Sequence, residues 1–243
     1  MVSESRVLLN KPVVFVAAEK REFSGLLRRF KEVRAVASPL AFAAEGELNG
    51  APALAVAHGP GPALARPAAL WAAAWREGAA MISTGYCGAL QHDVSIGDII
   101  VASCVHAPDT GVRYEARLPI TGRAARVGVV VSVDRVIGSP EEKCGFGSDG
   151  SLAVEMEAAA VAAVARETAS PFFCVRSVSD RADERFALDL NAARGEDGRF
   201  RISHIVSQAG RRPWTGVPEL FRLARNGRRA SKALGDFLGE CQF

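Results

Sequence analysis

Short apolar, β-branched runs alternate along this chain with segments of helical spacing, and that alternation commits it to a layered α/β fold. Pro12–Ala18 (PVVFVAA) reads as a buried first strand. Glu19–Phe30 follows with Phe23, Leu26, Leu27 and Phe30 on one helical face. Ala41–Leu48 and Pro52–Ala57 read as strands joined at Asn49-Gly50, a strong hairpin signal, so the sheet is mixed. His58–Pro62 (HGPGP) breaks the chain, and Ala63–Arg76 resumes as a helix. Ala80–Ser83 is a short strand ending in the glycine-containing turn Thr84–Gly88, with further strands at Asp98–Cys104 and Arg126–Val133. Glu155–Glu167 reads as a helix, Phe172–Val178 as a strand, and Glu219–Leu238 as a closing helix.

No internal repeat or heptad array interrupts this pattern, and 243 residues suit one domain over 1–243. The polar stretch Asn191–Arg201 is too short for a linker and reads as a surface loop. A net charge of +3 is too slight to imply nucleic acid. The five cysteines are scattered with no C-x-x-C pair, which disfavours a disulfide framework or a zinc site and suits a reducing cytoplasm. The four histidines lack H-E-x-x-H spacing, so neither metal nor cofactor is expected. The start, MVSESRVLLNKP, has no apolar h-region, and no run approaches 18 apolar residues. Neither export nor membrane spanning is therefore expected.

Chemistry concentrates in Ala153–Glu184, where two acidic clusters sit at the ends of neighbouring elements. Polar residues just past the carboxyl end of a strand face the ligand crevice of an open α/β sheet, which singles out Ser179 and Asp180. Either burial or a carboxylate neighbour would make Asp180 an acid, or Arg181 would hold it ionised. Glu155 and Glu157, two apart on a helix, turn about 200° from each other, so one faces the site or both merely complement the helix dipole. The loop His58–Gly61 lacks the third glycine of a dinucleotide fingerprint. Cys87 lies outside any G-x-S-x-G elbow and has no histidine placed near it by sequence.

Taken together, VEMEAAAVA at 154–162, VRSVSDRAD at 175–183, FVAAEKRE at 15–22, STGYCGAL at 83–90 with GDIIVA at 97–102, and VVSVDRVIGS at 130–139 resemble the nucleoside phosphorylase/nucleosidase family. The resemblance implies a three-layer α/β/α sandwich around a mixed, partly barrel-like sheet, assembled as a homo-oligomer. It implies cleavage of the N-glycosidic bond of a nucleoside. By position, Asp180 looks like the acid that protonates purine N7, with Ser179 orienting it. Glu157 looks like the grip on the ribose 2′-hydroxyl, Met156 lies under the sugar, and Val136 and Ile137 lie beside the base. Tyr86, Cys87 and Gly88, on the glycine-containing turn, are expected among the substrate-binding residues.

For the nucleophile, Glu22 falls where nucleosidases place the carboxylate that activates water. Arg21 falls near a phosphate-binding arginine of hexameric phosphorylases, while Ser83 and Tyr86 depart from those enzymes. The AAE-x-R start, STGYCGAL and DRVIGSPEEK at 134–143 resemble the hopanoid-associated phosphorylase group. That likeness implies adenosylhopane as substrate, phosphate as co-substrate and adenine as product. A methylthioadenosine/S-adenosylhomocysteine nucleosidase using water is the alternative, and a non-catalytic nucleoside-binding sensor a further one. The closing helix, about 217–239, is basic. From Arg211 to Lys232 seven basic residues face one acid, Glu219, so contact with anionic membrane is a further expectation.

Overall fold

The computed structural model describes residues 11–243. The expectation that the start holds no export segment falls largely on residues 1–10, outside the described residues. Ten strands form the sheet: β1 (Val13–Ala17), β2 (Lys31–Ala35), β3 (Phe42–Leu48), β4 (Ala51–Ala57), β5 (Ala80–Ala89), β6 (Ile99–Ala107), β7 (Val112–Glu115), β8 (Arg126–Ser132), β9 (Ala153–Glu155) and β10 (Phe172–Asp180). The helices are α1 (Pro62–Ala73), α2 (Pro140–Gly147), α3 (Ala158–Glu167), α4 (Ile202–Arg211) and α5 (Pro213–Leu238). Strand order is β10-β6-β8-β9-β5-β1-β4-β3-β2, and β10 also pairs with β5. Strands β5, β10, β6, β8 and β9 therefore close on themselves, and β1, β4, β3 and β2 extend from the ring as an open wing.

Both faces of the wing are covered, as its near-continuous apolar strands require. Alternation sends Val14 and Val16 of β1, with Leu54 and Val56 of β4, toward α1 and α3. Those helices present small faces, Ala68, Ala69 and Ala72 against Val161, Ala162 and Ala165, which let them lie close to the sheet. Val13 and Phe15 point the other way, against Leu234, Phe237 and Leu238 of α5 and Phe23 and Leu26 of the turn after β1. The expected three-layer sandwich with a barrel-like part is found. Among the described residues no helix is long and apolar enough to cross a membrane.

Several elements differ from expectation, each for a tertiary reason. Glu19–Phe30 is not a helix but two 3-10 turns, Lys20–Phe23 and Leu26–Arg28. Between them Gly25 lies directly on the α5 backbone, where a side chain would strike the Ser231 carbonyl. Strand β5 does not stop at Ser83 but runs on to Ala89, because β10 pairs with it through Arg176↔Gly85 and Asp180↔Gly88. Ala153–Glu155 is a strand joining β5 to β8, so the helix starts at Ala158 rather than Glu155. The closing helix starts earlier than expected, at Pro213, a residue pre-organised for a first helical turn. The hairpin is as expected: Asn49 and Gly50 both take positive φ between β3 and β4.

Candidate active site

The middles of β5 and β10 and the end of β9 gather a buried cluster of charge. Arg176, on β10, is fully buried and pairs with both Glu155 and Glu157, the latter at 3.3 Å. Its remaining hydrogen bonds reach the Thr84 carbonyl at 3.0 Å and Ser83 Oγ at 2.7 Å. Glu155 ends β9 and Glu157 precedes α3, so neither lies within the helix. The 200° divergence expected of a helical pair is therefore replaced by convergence on one guanidinium. Glu155 also accepts the N–H groups of Glu157 and Ala158 at 2.9 Å, so it complements the helix start as well. Glu157 Oε1 accepts the Gly61 N–H at 2.9 Å, which brings the HGPGP loop to the cluster.

Glu22 arrives from the turn after β1. Its carboxylate accepts the N–H of Glu19 at 2.9 Å and of Tyr86 at 3.0 Å. Burial pushes its pKa up to about 8, nearby Glu157 adds to the rise, and Arg176 offsets part of it. Burial likewise lifts Glu157 to about 7, with Glu155 adding and Arg176 opposing. One cation thus serves a set of carboxylates that outnumber it. The unbalanced charge raises the proton affinity of the two that face each other, and it would favour positive charge developing on a ligand. Gly85 is required here: its φ is +133°, and a side chain would collide with the Glu22 carboxylate.

Three residues along β5, roughly 10 Å at strand rise, Gly88 faces a second charged group. Asp180 Oδ2 meets Lys143 Nζ at 2.5 Å, and Ser179 Oγ donates to Asp180 Oδ1 at 2.7 Å. A register shift between Val178 and Asp180 places the extra residue Ser179 there, the usual way a bulge re-aims a side chain. Lys143 comes from α2, which is N-capped by Ser139 and opened by Pro140. It is fully buried and also donates to the Arg181 carbonyl at 2.6 Å.

Of the residues expected at a site, Glu22 and Glu157 lie around Arg176, with the Tyr86 N–H on Glu22, while Cys87, Gly88, Ser179 and Asp180 form the second group. The Cys87 carbonyl accepts from Ser179 at 3.3 Å, and burial pushes its thiol well above the ordinary range, which leaves little thiolate. Met156 is half-buried between the two glutamates. Ile137 packs with Leu90 and Val154 beside the second group. Val136 exchanges backbone hydrogen bonds with the Asn191 side chain, which ties the start of the Asn191–Arg201 loop to it. Arg21 stays apart: its side chain is 71% exposed and pairs with Glu19 at 2.7 Å.

Arg176 and Lys143 had no role assigned by sequence, and Glu155 only the alternatives of facing the site or complementing the helix dipole. The signal for Arg176 was legible, since a lone arginine inside the apolar run FFCVRSV demands buried acids. Nothing local marked Lys143. The clefts beside Asn49 and Cys241 and beside Arg117 and Arg166 share no residue with either group.

A mixed sheet closed by five of its strands, with the buried acids Glu155 and Asp180 ending β9 and β10, defines the α/β class of this chain. A family model described as Phosphorylase superfamily matches residues 12–124 and 115–209, and the chain belongs to that superfamily. The 5′-methylthioadenosine/S-adenosylhomocysteine nucleosidase of Staphylococcus aureus (strain MRSA252) is 29% identical over 139 residues. That match spans 46% of this chain and 61% of the relative's length. The fold is similar to that of S-adenosylhomocysteine nucleosidase from Streptococcus pyogenes in complex with 5-methylthiotubericidin, at TM-score 0.72 and 18% identity over 95% of each chain. It is also similar to the 5′-methylthioadenosine/S-adenosylhomocysteine nucleosidase from Neisseria meningitidis with methylthio-immucillin-A, at TM-score 0.65 and 23% identity over 93% of this chain and 100% of that one.

Proposed function

We propose that this chain hydrolyses the N-glycosidic bond of a 5′-substituted adenosine, releasing adenine, with water as the nucleophile. The observation that carries the reading is Glu22: a buried carboxylate with a pKa raised to about 8, held by backbone N–H groups beside Glu157 and Arg176. In its ionised fraction, which grows as pH rises toward 8, such a group is basic enough to take a proton from water at the sugar. Surplus negative charge around it suits the oxocarbenium-like cation that forms as the bond breaks. Glu157 grips a sugar hydroxyl, and Asp180 stands toward the base. No cofactor enters this chemistry.

Phosphate, the first expectation for the nucleophile, fares worse. Arg21 is exposed and neutralised by Glu19, and the matched relatives are named as nucleosidases. Adenosylhopane likewise draws no support from them. The deciding assay supplies methylthioadenosine and adenosylhopane with and without phosphate and follows adenine. Release at equal rates without phosphate is the expected result, and strict phosphate dependence would overturn hydrolysis. The odd number and scattered spacing of the cysteines favour a reducing, cytoplasmic setting.

The peripheral membrane contact is part of the same reading. Trp214, Val217, Phe221, Arg225, Arg228 and Lys232 recur at helical spacing on the outer face of α5, and all are exposed, Trp214 at 92%. Among the described residues no acid pairs with Arg225 or Arg228. Aromatic anchors in line with unpaired cations suit an anionic lipid surface, where each cation adds about 1 kcal/mol. Sedimentation with phosphatidylglycerol vesicles at low salt should pellet the protein, and Arg225→Glu with Arg228→Glu should abolish this. A protein that stays in the supernatant would remove the membrane part alone.

A further inference from the structure

Asp180 has the place of a proton donor, yet it is the ion-pair partner of a buried lysine. Both its oxygens are engaged by donors, Oδ1 by the Ser179 hydroxyl and Oδ2 by the Lys143 ammonium. The transferable proton of this pair therefore sits on Lys143 Nζ. That ammonium is fully buried and satisfied: one bond to Asp180, one to the Arg181 carbonyl at 2.6 Å, and the Phe186 ring 5.5 Å away. A purely structural tie between α2 and the end of β10 would not require the partner to be the residue aimed at the base. Salt-bridging the donor itself would instead disable it, unless the proton returns along the same bond.

We propose that Lys143 is the proton source for the leaving base, acting through Asp180. The inference rests on the glycosidic reading above. As the C–N bond of the nucleoside breaks, its electron pair moves into the purine; Lys143 Nζ passes a proton to the Asp180 carboxylate, and Asp180 gives a proton to N7. Asp180 therefore starts and ends as a carboxylate, and Lys143 ends as a neutral amine. Water attacks the ribosyl cation at C1′ and yields its own proton to the Glu22 carboxylate. Glu22 then returns that proton to solvent, and solvent recharges Lys143. The sum is nucleoside plus water giving ribose derivative plus adenine, with no other reactant.

The test uses Lys143→Arg and Lys143→Met in the full chain, each checked for folding by its thermal midpoint. Arginine keeps the positive charge and the hydrogen bonds but is not deprotonated in proteins. Both variants should lose about 100-fold or more in kcat on methylthioadenosine, the scale of a lost acid, with KM changed only a few-fold. Both should still cleave the N7-methylated nucleoside, whose base leaves without a proton, within a few-fold of the wild-type rate. Rescue of methylthioadenosine turnover by Lys143→Arg would overturn the proposal, because charge alone would then suffice. Equal losses on the two substrates would also overturn it, since they would show displacement of Asp180. Wild-type protein that cleaves neither substrate would sink the glycosidic reading itself, and this inference with it.

Discussion

Arg176 Nη1 lies 3.3 Å from Glu157 Oε2, joining the strand that ends in Asp180 to the turn that enters α3. Because Glu155 meets the same guanidinium, one side chain sets the relative position of the two acidic stretches. The arrangement is costly without its cation, since two carboxylates would then stand buried and unpaired.

Arg176→Met should therefore destabilise the fold by about 3–5 kcal/mol, the range for breaking a buried pair from one side. Urea unfolding at pH 7 measures it. A loss under about 1 kcal/mol would mean that the carboxylates simply take up protons and tolerate the change.

Asp180→Asn keeps the shape and the Ser179 contact but removes the carboxyl through which the proton passes, so turnover of methylthioadenosine should fall at least about 100-fold. Binding of free adenine, measured by calorimetry, should change only a few-fold. Near-normal turnover would remove Asp180 from the chemistry.

Glu22 ties stability to pH. Its ordinary value is 4.5 and its folded value about 8, so between these the folded state holds a proton the unfolded chain has released. Stability from this group is greatest below pH 4.5 and falls as pH rises through 8, by up to about 1.4 kcal/mol per unit. Glu22→Gln lacks this loss, so its stability relative to wild type should climb between pH 5 and pH 8 in urea melts. A gap independent of pH would contradict the buried, raised carboxylate.

Gly85→Ala should cost about 1–3 kcal/mol, because the φ of +133° and the closeness of the Glu22 carboxylate both oppose a side chain. Activity should fall with it, as Glu22 is displaced. The same substitution at Gly111, whose φ is +67° with open space around it, carries only the backbone cost and should spare activity.

Much of the sheet was legible because its strands are local statements. PVVFVAA and APALAVA are apolar on both faces, so they announce a doubly covered sheet, and Asn49-Gly50 announces the hairpin. The edge strand Lys31–Ala35 was not legible, being exposed and charged, and β9 was hidden because AVE is too short to show a period. Glu19–Phe30 carries a helical stripe, yet Gly25 and Gly235 admit the α5 backbone so closely that the segment breaks into turns.

The sequence by itself determined the layered α/β class, the helical stripe of α5 and the kinds of side chain available: acids after the strands, an arginine inside the apolar run FFCVRSV, a glycine-bearing turn. These follow from spacing and composition within a few residues. The tertiary structure alone decided which charges meet. Closing β10 onto β5 buried Arg176 among Glu22, Glu155 and Glu157, and docking α2 brought Lys143 to Asp180, while Arg21, one residue from Glu22, was left in solvent. Charge pairing depends on distance in space and on the exclusion of water, and neither is a local property of the chain.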